Sequence, residues 1–301
     1  MENIKEKILE LKKEKNALIL AHYYVPGDVQ DIADEVGDSF ALAKKAKETD
    51  ADIIVFCGVH FMAESAKLLN PRKKVLLPDM SAGCTMADMV TKDDVLKLKA
   101  KYPKAKVCTY VNSTADVKTV SDVCVTSSNA VKIVQNIDSD EVIFVPDQNL
   151  GRFVATQVPD KHVILHHGYC ITHHQISLET LNKAKQDYPG YLVVTHPECQ
   201  KDVVEASDYV GSTLQIINYI TQSSHDAFLV CTEQGVLHEI QKQNPSKTIK
   251  LLSEKLNCPN MKKITLEKVY DVLKYENNEI IFDEDFIEKA RRPLDKMLKL
   301  G

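Results

Sequence analysis

The sequence predicts an α/β fold of three similar αβα domains with parallel sheets, in a pseudo-threefold arrangement around a central site. Three observations carry that prediction. Apolar runs of about five residues, such as 17–21, 106–110 and 191–195, alternate with helical stretches, as parallel sheets covered on both faces require. Cys84, Cys170 and Cys258 recur at intervals of 86 and 88 residues. His22, Tyr110 and His196 each end an apolar run, and Ser39, Ser127 and Thr213 follow them by seventeen residues each. Self-similarity at a fixed period marks a repeated structural unit. One thiol and one polar cluster per unit imply a single shared site.

The first unit opens with a helix over 2–14, in which Ile4, Ile8, Leu9 and Leu11 approach helical spacing. Strand 17–21 follows, then a short helix near 29–35. Ser39 opens a helix to about Lys47, strand 52–56 comes next, and a helix near 62–69 leads to strand 75–77 and the loop of Cys84. In the second unit a helix over 92–101 precedes strand 106–110, a helix from Ser127, and strands 142–145 and 163–165 before Cys170. In the third, a helix over 178–187 precedes strand 191–195, a helix from Thr213, and strands 227–230 and 249–252 before Cys258. Each of these cysteines lies seven residues before a helix-start signature. The signatures begin at Thr91, Ser177 and Thr265, and Thr91 with Asp94 makes a full capping-box pattern. A fourth copy of the leading helix, near 266–275, returns the C-terminus to the first domain. The domains are therefore 1–84 with 259–301, 85–170 and 171–258, each small enough to need burial against the others.

Composition narrows the function classes. A net charge of −5 disfavours a nucleic-acid or anionic-membrane partner. No apolar run reaches the roughly 18 residues of a membrane span. The N-terminus from Met1 reads as a charged helix rather than a signal peptide, so a cytoplasmic protein is expected. Eight cysteines in 301 residues are too sparse for a disulfide framework, which leaves metal binding or buried thiols.

Three thiolates with an open position suit zinc or an iron–sulfur cluster, and spacing alone does not choose between them. Free thiols in equivalent loops are the plain alternative. Cys57 and Cys231 occupy matching strand ends, but the middle unit has Pro146 there, so they cannot form a threefold ligand set. Cys108 and Cys124 lie in apolar runs and read as core, and Cys199 reads as a bystander. Of the adjacent pair after Cys170, His173 is expected to face substrate and His174 to be structural. Ser39, Ser127 and Thr213 read individually as N-caps; converging on one axis, such helix starts would form an anion site. Ligands of open parallel sheets collect at the carboxyl ends of strands. Here those ends carry His22-Tyr23-Tyr24, Tyr110-Val111-Asn112 and His196-Pro197-Glu198, groups able to donate, accept or transfer protons.

These features together resemble the quinolinate synthase family over essentially the whole chain. The resemblance is carried by Asp31–Asp34 with Gly37–Ser39, Val55–Ser65, Tyr110–Ala115, Pro146–Gly151, Gly168–Cys170, His196–Cys199, Gly211–Thr213 and Cys258–Met261. Tyr23 stands where the family often has Asn. The resemblance implies a [4Fe–4S] cluster on Cys84, Cys170 and Cys258, acting as a Lewis acid. It implies condensation of iminoaspartate with dihydroxyacetone phosphate to quinolinate, phosphate and water, with an aspartate oxidase or dehydrogenase as source of the imine. Family substrate positions fall on His22, Ser39, Tyr110, Asn112, Ser127, His173, His196, Glu198 and Thr213. Glu198 is the expected general base, assisted by His196, Tyr24 and His22. A zinc-dependent hydrolase or lyase using the same three cysteines is the rival reading.

Overall fold

The structure, a computed structural model, describes residues 2–301; Met1, read with the N-terminal helix, lies outside them. Three four-stranded parallel sheets follow one another along the chain. The first contains β1 (Ala17–His22), β2 (Glu35–Gly37), β3 (Ile53–Cys57) and β4 (Lys74–Leu76). The second contains β5 (Lys106–Tyr110), β6 (Val123–Val125), β7 (Glu141–Val145) and β8 (His162–Leu165). The third contains β9 (Leu192–Thr195), β10 (Tyr209–Val210), β11 (Ala227–Cys231) and β12 (Thr248–Leu251). Within each sheet the spatial order is second, first, third, fourth. The order reverses between the first and third strands, so the loops after β1, β5 and β9 open at a topological switch point.

Each sheet has one strand more than the sequence reading found. β2, β6 and β10 span only two or three residues, too short to show a period. Each is set by an aspartate at its start. Asp34, Asp122 and Asp208 accept the backbone N–H of Ile19, Val107 and Val193, all at 2.8 Å. Asp34 and β2 also correct the helix expected near 29–35. The helix there is Gly27–Gln30, and the chain turns back into the sheet.

The leading helices begin where their capping residues predict. Thr91 forms a capping box with Asp94, and Ser177 and Thr265 accept from the N–H groups of Thr180 and Lys268. Helix Leu266–Tyr275 packs on helix Glu2–Glu14, and residues 278–280 run antiparallel beside β4. The last helix, Glu284–Leu300, packs on helix His60–Leu69 of the first unit and on β6 of the second. One apolar core consequently runs through the first two units. Tyr23 is 6% exposed and packs among Val194, Ile216 and Val230 of the third unit, so the first unit inserts an aromatic ring into the third.

Candidate active site

The loops after the first strand of each sheet meet at one cavity. His22, Tyr24, Ser39, Cys84, Tyr110, Asn112, Ser127, Cys170, His173, His196, Glu198, Thr213 and Cys258 all line it. The residues proposed from the sequence as metal, substrate and proton-transfer groups are therefore brought to one place. The lining includes no Lys or Arg among the described residues. Polar donors at this surface are hydroxyls, imidazoles and the amides of Asn112 and Asn260.

Glu198 is the centre of the polar wall. It is 3% exposed. Tyr110 Oη donates to its Oε1 at 2.7 Å, and His173 Nδ1 lies 2.8 Å from its Oε2. His173 Nδ1 also lies 3.2 Å from Cys170 Sγ; a carboxylate only accepts, so Nδ1 carries hydrogen, and in the neutral ring Nε2 is the acceptor. Thr232 Oγ1, 3.0 Å away, must then donate to Nε2, which leaves Thr232 to accept from Tyr24 Oη at 2.8 Å. Tyr24 in turn accepts from Thr213 Oγ1 at 2.8 Å. One directed chain thus runs Thr213, Tyr24, Thr232, His173, Glu198. Burial opposes ionisation of Glu198, but the imidazoles of His196 and His173 and the hydrogen bonds from His173 and Tyr110 outweigh it. The carboxyl is held below its ordinary range.

His22 and His196 have the same local trap. The N–H of Tyr24 donates to His22 Nδ1 at 3.1 Å, and the N–H of Glu198 to His196 Nδ1 at 3.3 Å. Each neutral ring therefore carries its hydrogen on Nε2. Burial lowers His22 to about 3 and His196 to about 4, against the pull of Glu198. His196 Nε2 lies 3.3 Å from Ser127 Oγ, and its ring stacks on His173 at 4.9 Å. His174 points elsewhere, with Nδ1 2.9 Å from Asn149 Nδ2. Asn112 Oδ1 is buried without a hydrogen-bond partner, although the residue lines the cavity.

The hydroxyl triplet departs from the expected capping. Asp38 and Ser212 are the N-caps, which frees Ser39 and Thr213 in the first helical position. Ser127 lies three residues before its helix, which begins at Ala130. Asn129 Oδ1 accepts the N–H of Thr126 at 2.7 Å and fixes residues 126–129 as a turn. Asp38 already accepts the N–H groups of Phe40 and Ala41. The groups that these helix starts leave at the wall are therefore hydroxyls rather than free helix amides.

The three cysteines stand on the loops that close each unit. Burial pushes Cys84 up to about 12 and raises Cys170 and Cys258 as well. Two of these loops are held by buried acids that the sequence reading left without a role. Asp147 accepts from the N–H of Cys170 at 3.3 Å, and Glu233 from the N–H of Cys258 at 3.0 Å. Glu233 is fully buried and pairs with Lys262 at 2.9 Å. Thr232 was missed too; its only sequence signal is its position directly after β11. Cys170, His173 and Glu198 present atoms within 4.8 Å of one another and could hold a metal ion. Cys84 and Cys258 stand outside that group. Cys57, Cys108, Cys124, Cys199 and Cys231 are buried away from the cavity lining.

Fold and site define an α/β enzyme whose three repeated units deliver thiols and proton-handling groups to one cavity. Residues 6–299 match the family described as quinolinate synthetase A protein (NadA), and the chain belongs to that family. The quinolinate synthase of Caldicellulosiruptor saccharolyticus is 53% identical over 301 residues, covering 100% of this chain and 99% of that protein. That of Sulfurihydrogenibium sp. is 53% identical, with 98% of each chain covered. That of Clostridioides difficile is 50% identical over 294 residues, covering 98% and 97%.

Proposed function

We propose that this chain is a quinolinate synthase. It condenses iminoaspartate with dihydroxyacetone phosphate to give quinolinate, phosphate and water. The observation that carries the reading is the convergence of three distant cysteines and the Glu198-centred hydrogen-bond chain on one cavity. The donor set fits a [4Fe–4S] cluster on Cys84, Cys170 and Cys258 better than one zinc ion. Thiolates sharing one zinc, with Zn–S of about 2.3 Å, would lie within about 4.6 Å of one another. No three-cysteine group that tight occurs among the described residues, and a multi-iron body spans more. When bound, the cluster supplies a Lewis-acidic iron without a protein ligand.

The remaining chemistry belongs to the chain. Ser39 and Ser127 offer hydroxyls to the carboxylates and phosphate, Thr213 borders the bound substrate while its hydrogen serves Tyr24, and His22 and His196 offer Nε2–H. The unpartnered Asn112 Oδ1 is placed to accept from the imine N–H or a triose hydroxyl. Glu198, kept ionised, receives a proton at the oxygen facing Tyr110 or His173, and Tyr24 and His196 relay protons to either side. The three domains are taken as 1–84 with 259–301, 85–170 and 171–258. No helix among the described residues is long and apolar enough to cross a membrane, which accords with a cytoplasmic place beside an iminoaspartate-forming aspartate oxidase or dehydrogenase.

The test is anaerobic purification with iron, sulfide and quinolinate measured together. Iminoaspartate is formed in place from oxaloacetate and ammonia, and dihydroxyacetone phosphate is added. About four irons and four sulfides per chain, lost in Cys84→Ala together with quinolinate formation, are expected. Stoichiometric zinc without sulfide would move the assignment to a zinc hydrolase or lyase.

A further inference from the structure

Lys118 is fully buried, at the end of the short helix Ala115–Lys118. Both of its hydrogen bonds go to backbone carbonyls. Nζ donates to Val111 O at 3.1 Å and to Ser113 O. These two carbonyls bracket Asn112, which lines the cavity and whose buried Oδ1 has no hydrogen-bond partner. Nζ also lies 5.9 Å from the ring centroid of Phe61, another cavity-lining residue. A fully buried ammonium is costly unless it is hydrogen-bonded, and these two carbonyls supply its hydrogen bonds.

The repeat shows what is held. Tyr23 and Val111, Val25 and Ser113, and Gln30 and Lys118 are each 88 residues apart. Gln30 Nε2 donates to Tyr23 O and Val25 O, both at 2.9 Å, so it brackets Tyr24 as Lys118 brackets Asn112. A neutral amide therefore makes the same clamp from the same position. In the third unit the corresponding residue is Val204, and the carbonyl of Glu198 is instead held by Asn149 Nδ2 at 3.0 Å. Burial lowers the Lys118 pKa, with Cys124 and Glu64 acting in the opposite sense.

We propose that Lys118 is a positioning residue: by clamping the carbonyls of Val111 and Ser113 it fixes the amide of Asn112 where the diacid binds. The inference rests on the quinolinate synthase reading for the identity of the diacid. It assigns the effect to the hydrogen bonds rather than to the charge. Gln at this position should serve, and Met, of similar length without donors, should not.

The experiment titrates quinolinate into the metal-loaded parent, K118M, K118Q, N112A and the double variant K118M/N112A. Amide hydrogen exchange is followed on the same proteins without ligand. K118M should bind about tenfold more weakly, or about 1.4 kcal/mol, and K118Q within about threefold of the parent. On the N112A background K118M should add less than about twofold, because two residues acting as one unit are not additive. The N–H groups of Ser113 and Ala115, bonded to Val111 O at 2.8 Å and to Glu64 at 3.0 Å, should exchange faster in K118M and normally in K118Q. Parent-like binding in K118M overturns the proposal. So does equal weakening in K118M and K118Q, which would assign the effect to charge, and so does an undiminished K118M effect on N112A. Should K118M not fold, a tenfold loss in K118Q refutes the clamp by itself. A parent that does not bind quinolinate counts against the reaction assignment. Exchange then decides, with equal protection in parent and K118M refuting the clamp.

Discussion

Thr232→Val cuts the directed chain at its middle link with almost no change of shape. Thr232 is fully buried and its hydroxyl serves two partners, Tyr24 Oη at 2.8 Å and His173 Nε2 at 3.0 Å. Tyr24 keeps Thr213, so its loss is partial. His173 Nε2 has no other hydrogen-bond partner among the described residues and is left unpaired in a site 1% exposed. An unsatisfied buried acceptor costs about 1–3 kcal/mol. At about 2.1 cal/mol/K per residue, a chain of 301 residues shifts by roughly 1.6 °C per kcal/mol, so the melting temperature should fall by about 2–5 °C. The larger effect is kinetic. His173 keeps its Nδ1 hydrogen toward Glu198 but loses the donor at Nε2, so the proton path to Tyr24 is open-circuited. Positioned acid–base catalysis contributes about 10²–10⁴-fold, and kcat should fall by about 10²-fold. KM should change less than threefold, because Thr232 is not among the cavity-lining residues. Steady-state quinolinate formation measures both constants, and Thr232→Ser, which keeps the hydroxyl, should restore kcat to within a few-fold. Full kcat in Thr232→Val would refute the chain. An equal loss in Thr232→Ser would assign the effect to packing.

Glu198→Gln keeps the size of the acid but turns an amide toward Tyr110 or His173, both of which donate; kcat should fall by about 10²–10⁴-fold, and normal turnover would remove Glu198 from the proton chemistry. His22 is lowered to about 3 in the fold from an ordinary 6.5, so it stabilises the native state fully above 6.5 and loses that contribution as pH falls toward 3. Urea unfolding of parent and His22→Gln between pH 4.5 and 7.5 should show the variant gaining about 1.4 kcal/mol on the parent per pH unit below 6.5, and parallel curves would contradict a buried neutral ring. Glu233→Gln removes the charge paired with Lys262 and leaves one oxygen for two donors, the N–H groups of Cys258 and Gly235. It should cost about 2–4 kcal/mol and speed iron loss to a chelator, and unchanged iron retention would show that the Cys258 loop needs no such anchor.

The parts of the molecule visible in its sequence are those fixed by local rules or by the repeat. Capping at Thr91, Ser177 and Thr265 is local chemistry, and the apolar strands announce themselves because both sheet faces are covered. The short second strands carry no such signal. Their placement depends on Asp34, Asp122 and Asp208 reaching a neighbouring strand, a tertiary contact that the 88- and 86-residue spacing could have suggested. Ser127 misled for a similar reason. Its counterparts open helices, but Asn129 captures the preceding turn and delays the helix to Ala130. Thr232, Asp147, Glu233 and Lys118 were silent because a threonine, an acid or a lysine becomes informative only when its partners are known to be buried with it.

The repeat also explains why a symmetric scaffold yields an asymmetric site. Tyr24, Asn112 and Glu198 occupy one equivalent position in the three units, and His22, Tyr110 and His196 another. Three carboxylates at the first position would repel one another in a cavity without Lys or Arg, and three hydroxyls would leave no base. One acid, one amide and one phenol avoid both outcomes. The two histidines are locked in the same tautomer by their own loops, whereas Tyr110, at the third equivalent point, can donate only toward Glu198. Symmetry supplies three equal directions of approach, and the substitutions among equivalent positions leave a single carboxylate, Glu198, to accept protons from Tyr110 and His173.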